Sequence, residues 1–159
     1  MKIKQADYIL LAGWIGSLLF ISSLLGFLFK NDIMDWHESL QTSPFTPPSI
    51  VFSIVWPILY SMIATVGWII WNQKTINHHN AIKIAYIIQL LLNWSWIPLF
   101  FKMHLIGSSL ICLISILFLS LSLIFHLKKQ LPIAALLLFP YAAWLTFAAY
   151  LNMYVWIHN

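Results

Sequence analysis

Five long apolar runs, separated by short polar breaks, account for nearly the whole chain. Between charged residues the sequence stays apolar from Tyr8 to Phe29, Ser49 to Gln73, Ile84 to Phe101, Met103 to Leu127, and from Leu131 to the C-terminus. Runs of this length with so few charges predict membrane-crossing helices, placed at about residues 8–29, 49–73, 84–101, 105–127 and 132–156. The shortest run, Ile84 to Phe101, would form a helix about 27 Å long at 1.5 Å per residue, close to the roughly 30 Å hydrocarbon core. Lys83 and Lys102 flank it and can snorkel to the interface. A β-barrel fits poorly, because barrel strands alternate in polarity over ~10 residues and these runs are continuous. The expected fold is an all-α membrane protein, a single domain of five transmembrane helices spanning residues 1–159.

Composition agrees with this pattern. Of 159 residues 62% are hydrophobic and 8% charged, against roughly 25% charged in soluble domains. All eight basic residues are lysines, and the acids are Asp7, Asp32, Asp35 and Glu38. The net charge of +4 therefore reads as topology signal rather than as a nucleic-acid surface, which would favour arginine. Lys2, Lys4, Lys74, Lys83, Lys128 and Lys129 fall on one side of the spans, and Lys30 and Lys102 on the other. The imbalance predicts a cytoplasmic N-terminus and an outer C-terminus. The first apolar run is longer than the apolar core of a signal peptide and lacks a convincing cleavage site, so it is expected to remain as a helix. Short linkers predict that sequential helices are neighbours. The first connection, from Lys30 to Pro48, is the exception and the natural candidate for a lid over one end. Cys112, the single cysteine, excludes an intrachain disulfide and reads as a small packing residue.

Within the spans, several polar and aromatic groups share helix faces. Pro44, Pro47 and Pro48 stiffen the approach to the second helix, where Trp56, Tyr60, Ala64, Gly67 and Trp71 recur at three- and four-residue steps. Ordinary bundle packing also accounts for such spacing, with Trp71 and Tyr8 as interfacial belt residues. Asn93 lies mid-span in the third helix and must face inward, since an amide turned to lipid loses its hydrogen bonds. It serves either a helix-to-helix hydrogen bond or a ligand contact. Trp96 shares its face, and Pro98 predicts a kink. In the fifth helix Tyr141, Trp144, Ala148 and Leu151 align, with Pro140 a second kink point.

Three blocks, in order, resemble the translocator protein family, also known as tryptophan-rich sensory proteins (TspO/MBR) and historically as the peripheral-type benzodiazepine receptor. They are WHESLQTSPFTPPSIVFSIVWPILYSMIATVGWIIW (Trp36–Trp71), QLLLNWSWIPLFF (Gln89–Phe101) and PYAAWLTFAAYLN (Pro140–Asn152). The resemblance implies a pocket among the helices beneath the first loop. Its lining would fall on Trp56, Tyr60, Asn93, Trp96, Trp144 and Ala148, with His37 and Pro47 closing over it. It further implies a homodimer, and flat apolar ligands such as porphyrins, haem-type tetrapyrroles or isoquinoline carboxamides, without a required cofactor. An aromatic slot with one amide suits such shapes. Two departures stand out. Ser43-Pro44-Phe45 replaces the family's P-x-W, which predicts different lid packing. No basic residue follows Lys129, so the sterol motif of animal members is unsupported.

The sequence carries no phosphate loop, zinc-protease helix or nucleophile elbow, and no acid or lysine inside a predicted span. A conventional hydrolase or ion-coupled pump is therefore not expected. Adjacent His78 and His79 diverge by about 100° on a helix, which disfavours a metal site there, and none is expected. His37 reads as a lid hydrogen-bonding residue, with ligation of a porphyrin iron as its sharper alternative. Two functional readings remain open. One is a membrane receptor, carrier or sensor for a tetrapyrrole. The other is an enzyme-like breakdown of bound porphyrin by light and oxygen, with Trp56 and Trp144 as the reactive pair. A bacterial inner membrane is the expected location.

Overall fold

The computed structural model describes residues 5–31, 36, 39–73 and 75–159, the side chains of Gln5 and Ala6 excepted. His37, like Asp32, Asp35, Glu38 and Lys74, lies outside the described residues. Among the described residues five helices of membrane-spanning length follow one another, the third with the π-helical turn that extends it: α1 (Gln5–Leu28), α2 (Ser49–Asn72), α3 (His79–Ile97), α4 (Ile106–Leu127) and α5 (Pro132–His158). A π-helical turn, Pro98–Lys102, extends α3. With that turn included, all five are long and apolar enough to cross a membrane. Large apolar side chains such as Phe20, Phe27, Phe118, Phe125 and Ile133 point outward, as a lipid-facing surface requires. The core is built from Ile63, Val66, Ile70, Leu113, Ile116, Leu127, Leu138 and Leu145, all fully enclosed.

The helix boundaries show where the charge-run rule clips an element. Lys83 ends the apolar run, yet α3 begins at His79 and includes it. The ammonium escapes the bundle by snorkelling, with Nζ 5.0 Å from the centroid of the Trp71 ring. At Pro98 the expected kink takes a specific form. Proline has no N–H to give the carbonyl four residues back, and the ladder widens: Met103 N–H donates to the Pro98 carbonyl at 2.9 Å, five residues apart. Ahead of α2, Pro48 has φ −54° and ψ 148°, polyproline geometry that hands over directly to the first helical residue, Ser49.

The packing order around the bundle is α1, α2, α5, α4, α3, with α3 touching α1 and α2 only lightly. This corrects the expectation that short linkers make every sequential pair close neighbours, because α2 packs more extensively on α5 than on α3. One end of the gap is plugged. Trp14 of α1 lies 5.2 Å from Trp71 and 6.2 Å from Tyr86 between ring centroids. Tyr86 crosses to α2, where its hydroxyl donates to the Ile63 carbonyl at 2.9 Å. Gly67 is what lets these rings in: a Cβ there would sit 2.7 Å from the Trp14 ring and closer still to the Tyr86 hydroxyl. Towards the other end no such plug forms among the described residues, and the bundle opens.

Candidate ligand-binding cavity

The opening is a cavity of about 670 Å³, within the range of about 300–1,000 Å³ typical of small-molecule sites. Four helices and the first connection wall it, while α4 contributes no lining residue among those described. Trp56 and Tyr60 of α2, Asn93 and Trp96 of α3, Trp144 and Ala148 of α5, and Pro47 of the connection all border it. Seven of the eight residues singled out from the sequence thus meet around one hollow, the eighth being His37. The regular face of α2 divides in two: Trp56 and Tyr60 line the cavity, whereas Gly67 and Trp71 belong to the plug below.

The walls are mostly aromatic. Trp56 packs on Tyr60 at 5.7 Å, Trp144 meets the edge of Phe52 at 5.7 Å, and Trp96 stacks on Phe100 at 5.4 Å. Trp36 continues this ladder outward, 5.2 Å from Phe100 and stacked on His104 at 4.2 Å. Rings separated by these distances gain offset or edge-to-face contacts beyond their burial.

Polar groups inside the bundle are held in two clusters. In the first, the Tyr60 hydroxyl donates to Asn93 Oδ1. Asn93 Nδ2 donates to the Tyr141 hydroxyl at 2.7 Å, and Gln89 Nε2 donates to the same oxygen at 2.6 Å. Four buried side chains on α2, α3 and α5 are thereby locked together. Asn93, read as either a helix-to-helix hydrogen bond or a ligand contact, makes the hydrogen bonds and also borders the cavity. In the second, Asn152 Oδ1 accepts from Trp96 Nε1 at 3.2 Å and from Ser109 Oγ at 2.9 Å, while its Nδ2 donates to the Ile106 carbonyl at 3.0 Å. That amide fixes the Trp96 indole in the wall. The Trp144 Nε1–H is buried without a hydrogen-bond partner, which leaves a donor uncommitted at the α5 side.

Sequence reading missed Asn152, Phe52 and Phe100. Asn152 carried the same signal as Asn93, an amide within an apolar helix. The two phenylalanines had no mark to set them apart from lipid-facing rings.

The connection is anchored above this hollow through α5. Ser43, itself buried, has its Oγ 3.1 Å from the Tyr150 hydroxyl. A turn follows, with Thr46 N–H donating to the Ser43 carbonyl at 2.9 Å and Pro44 at its second position. Phe45, at the departure from the family pattern, lies 6.4 Å from the Tyr150 ring. Gln41 is clamped by Asn159, which accepts from its N–H at 2.9 Å and donates to its carbonyl at 3.3 Å.

Among the described residues no three His, Cys, Asp or Glu side chains converge. Cys112 is buried and donates to the Leu92 carbonyl at 3.3 Å, a packing position. His79 bonds the Ile70 carbonyl at 3.0 Å, while His78, His104, His126 and His158 are exposed at helix ends.

Fold and site together define a class: an integral membrane protein of five helices with an aromatic, amide-floored hollow at one end of the bundle. The chain belongs to the TspO/MBR family, whose model matches residues 12–157. It is 34% identical over 145 residues to the translocator protein of Sus scrofa, covering 87% of this chain and 86% of that one. It is 31% identical over 136 residues to the tryptophan-rich protein TspO of Archaeoglobus fulgidus, covering 84% and 86% respectively. Human translocator protein 2 is 30% identical over 162 residues, covering 98% of this chain and 90% of its own.

Proposed function

We propose that the cavity binds a flat, largely apolar ring system, with a porphyrin or haem-type tetrapyrrole as the leading ligand, and that the protein acts as a membrane receptor, carrier or sensor for it. The observation that carries this reading is the convergence of Trp56, Trp96 and Trp144 with Asn93 and Tyr60 around one hollow of about 670 Å³. Apolar rings supply contact area, and the Asn93 amide, whose Nδ2 keeps a second hydrogen beyond the one given to Tyr141, orients a ligand that carries ring nitrogens or a carbonyl. The connection bearing Pro47, tied down through Ser43 and Tyr150, acts as the lid. The family membership supports a homodimer, and the lysine imbalance supports a bacterial inner membrane with the N-terminus inside.

Indole side chains in direct contact with the cavity favour one second reading. A photoexcited porphyrin held there, in the presence of oxygen, would be broken down with Trp56 and Trp144 as the reactive pair. A protoporphyrin titration of the detergent-solubilised protein, run in darkness and then under illumination, tests both. Saturable binding with an unchanged pigment supports the carrier. Bleaching to a new pigment that is lost in Trp144→Phe supports breakdown. Failure of protoporphyrin to bind at all overturns both.

A further inference from the structure

The opposite end of the bundle carries a second grouping of side chains that the cavity does not use. His78, in the short linker before α3, is held in the left-handed region at φ 58°. Its ring stands edge-to-face to that of His126 at the end of α4, 6.4 Å between centroids. The pairing is enforced by the backbone: Asn77 N–H donates to Gln130 Oε1 at 2.7 Å, and Gln130 Nε2 donates to the His126 carbonyl at 3.2 Å. His126 Nδ1 is 2.8 Å from the Ser122 carbonyl. Nδ1 therefore carries a proton and donates, and Nε2 is turned away from the helix backbone.

Beside this pair the Lys128 ammonium lies 4.4 Å over the Phe125 ring, which is 5.6 Å from the His126 ring. Phe125 is the last member of a stripe formed by Ile111, Ile114, Phe118, Leu121 and Phe125, all exposed on one face of α4 at alternating three- and four-residue steps. A basic head group region thus sits directly on top of an apolar track that runs the length of the helix. Among the described residues the charge around it is mainly positive: Lys83, Lys128 and Lys129 share this end, against the one acid Asp7 in the first turn of α1.

We propose that this surface is a docking site for an anionic phospholipid. The phosphate is received between His78, His126 and Lys128, and an acyl chain lies along the α4 stripe. The chemistry is that of a negative head group met by clustered basic side chains at the membrane surface, with the adjoining chain burying exposed apolar area. A divalent cation is the competing occupant of two facing imidazoles, but Lys128 and Lys129 beside them repel it.

The test uses the full-length protein in nanodiscs of equimolar phosphatidylglycerol and phosphatidylcholine with matched acyl chains, the retained lipid being counted by native mass spectrometry. Phosphatidylglycerol should be retained preferentially, and the preference should fall about fivefold in Lys128→Gln and should also fall in His126→Gln, which removes a phosphate-facing donor. Lys30→Gln, at the other end, should leave it unchanged. Equal retention of the two lipids overturns the proposal, as does a preference that survives the His126→Gln, Lys128→Gln double variant. Saturable Zn²⁺ binding that is lost in His126→Gln, without any lipid preference, would make the pair a metal site and overturn it as well.

Discussion

Replacing Tyr141 by Phe removes one oxygen from the centre of the bundle and leaves the ring that fills the space. That oxygen accepts from Gln89 Nε2 at 2.6 Å and from Asn93 Nδ2 at 2.7 Å, and all three residues are buried. Side-chain hydrogen bonds between membrane helices average about 0.6 kcal/mol and reach about 1.7 kcal/mol. Two such bonds, both short and both ending on buried amides, set an expected loss of about 1–3 kcal/mol. Unfolding equilibria in mixed micelles titrated with SDS read this directly. The cavity responds less, because the Asn93 amide is still held through Oδ1 by the Tyr60 hydroxyl. Porphyrin affinity should therefore fall by no more than about tenfold, about 1.4 kcal/mol. A stability change below about 0.3 kcal/mol, well under the mean for one such bond, would refute the view that the tyrosine hydroxyl holds the two amides in place.

Two further substitutions probe the plug and the loop. Gly67→Ala drives a methyl group into Tyr86 and Trp14, and overpacking of this kind costs about 1–3 kcal/mol. Tyr86→Phe in the same chain, by deleting the nearest atom, should recover part of that loss in the SDS titration. Tyr150→Phe removes the partner of Ser43 Oγ. It should change stability by less than about 1 kcal/mol, yet speed ligand dissociation measured by stopped-flow, since the loop is left with only the Gln41–Asn159 clamp. Unchanged dissociation would mean that the Ser43–Tyr150 contact does not control ligand exit.

Much of this architecture is legible in the chain because lipid imposes simple demands. A helix must bridge the hydrocarbon layer without charge, so five uncharged runs give five helices, and an amide such as Asn93 can only turn inward. The limits are equally physical. Lys83 stops an apolar run without stopping a helix, because its ammonium can reach out over Trp71. Pro98 marks a break, but whether a kink or a widened turn results depends on the backbone donors beyond it, here Met103 and Leu105. Short linkers misjudge the packing of α2 and α3, since a connection fixes only where two helix ends lie, not how closely their axes pack.

The cavity itself was legible as a set of residues through the family resemblance. Periodicity alone favours ordinary packing. What separates the two is non-local. Gly67 admits Trp14 and Tyr86 to pack one end, and the contact of Ser43 with Tyr150, 107 positions apart in sequence, ties the connection that borders the cavity to α5. Neither partner is visible from its own segment.

The claim on which the functional reading depends is that ligand occupies the hollow between α2, α3 and α5. Ala148, buried in its wall, offers the most direct measurement: protoporphyrin titration of Ala148→Trp beside the unaltered chain, with helical content followed by circular dichroism. An indole placed there takes up the space a ring ligand needs, so affinity should drop by at least about tenfold, about 1.4 kcal/mol, while the helical signal is retained. Undiminished affinity in a folded Ala148→Trp protein would place the ligand elsewhere and contradict the account.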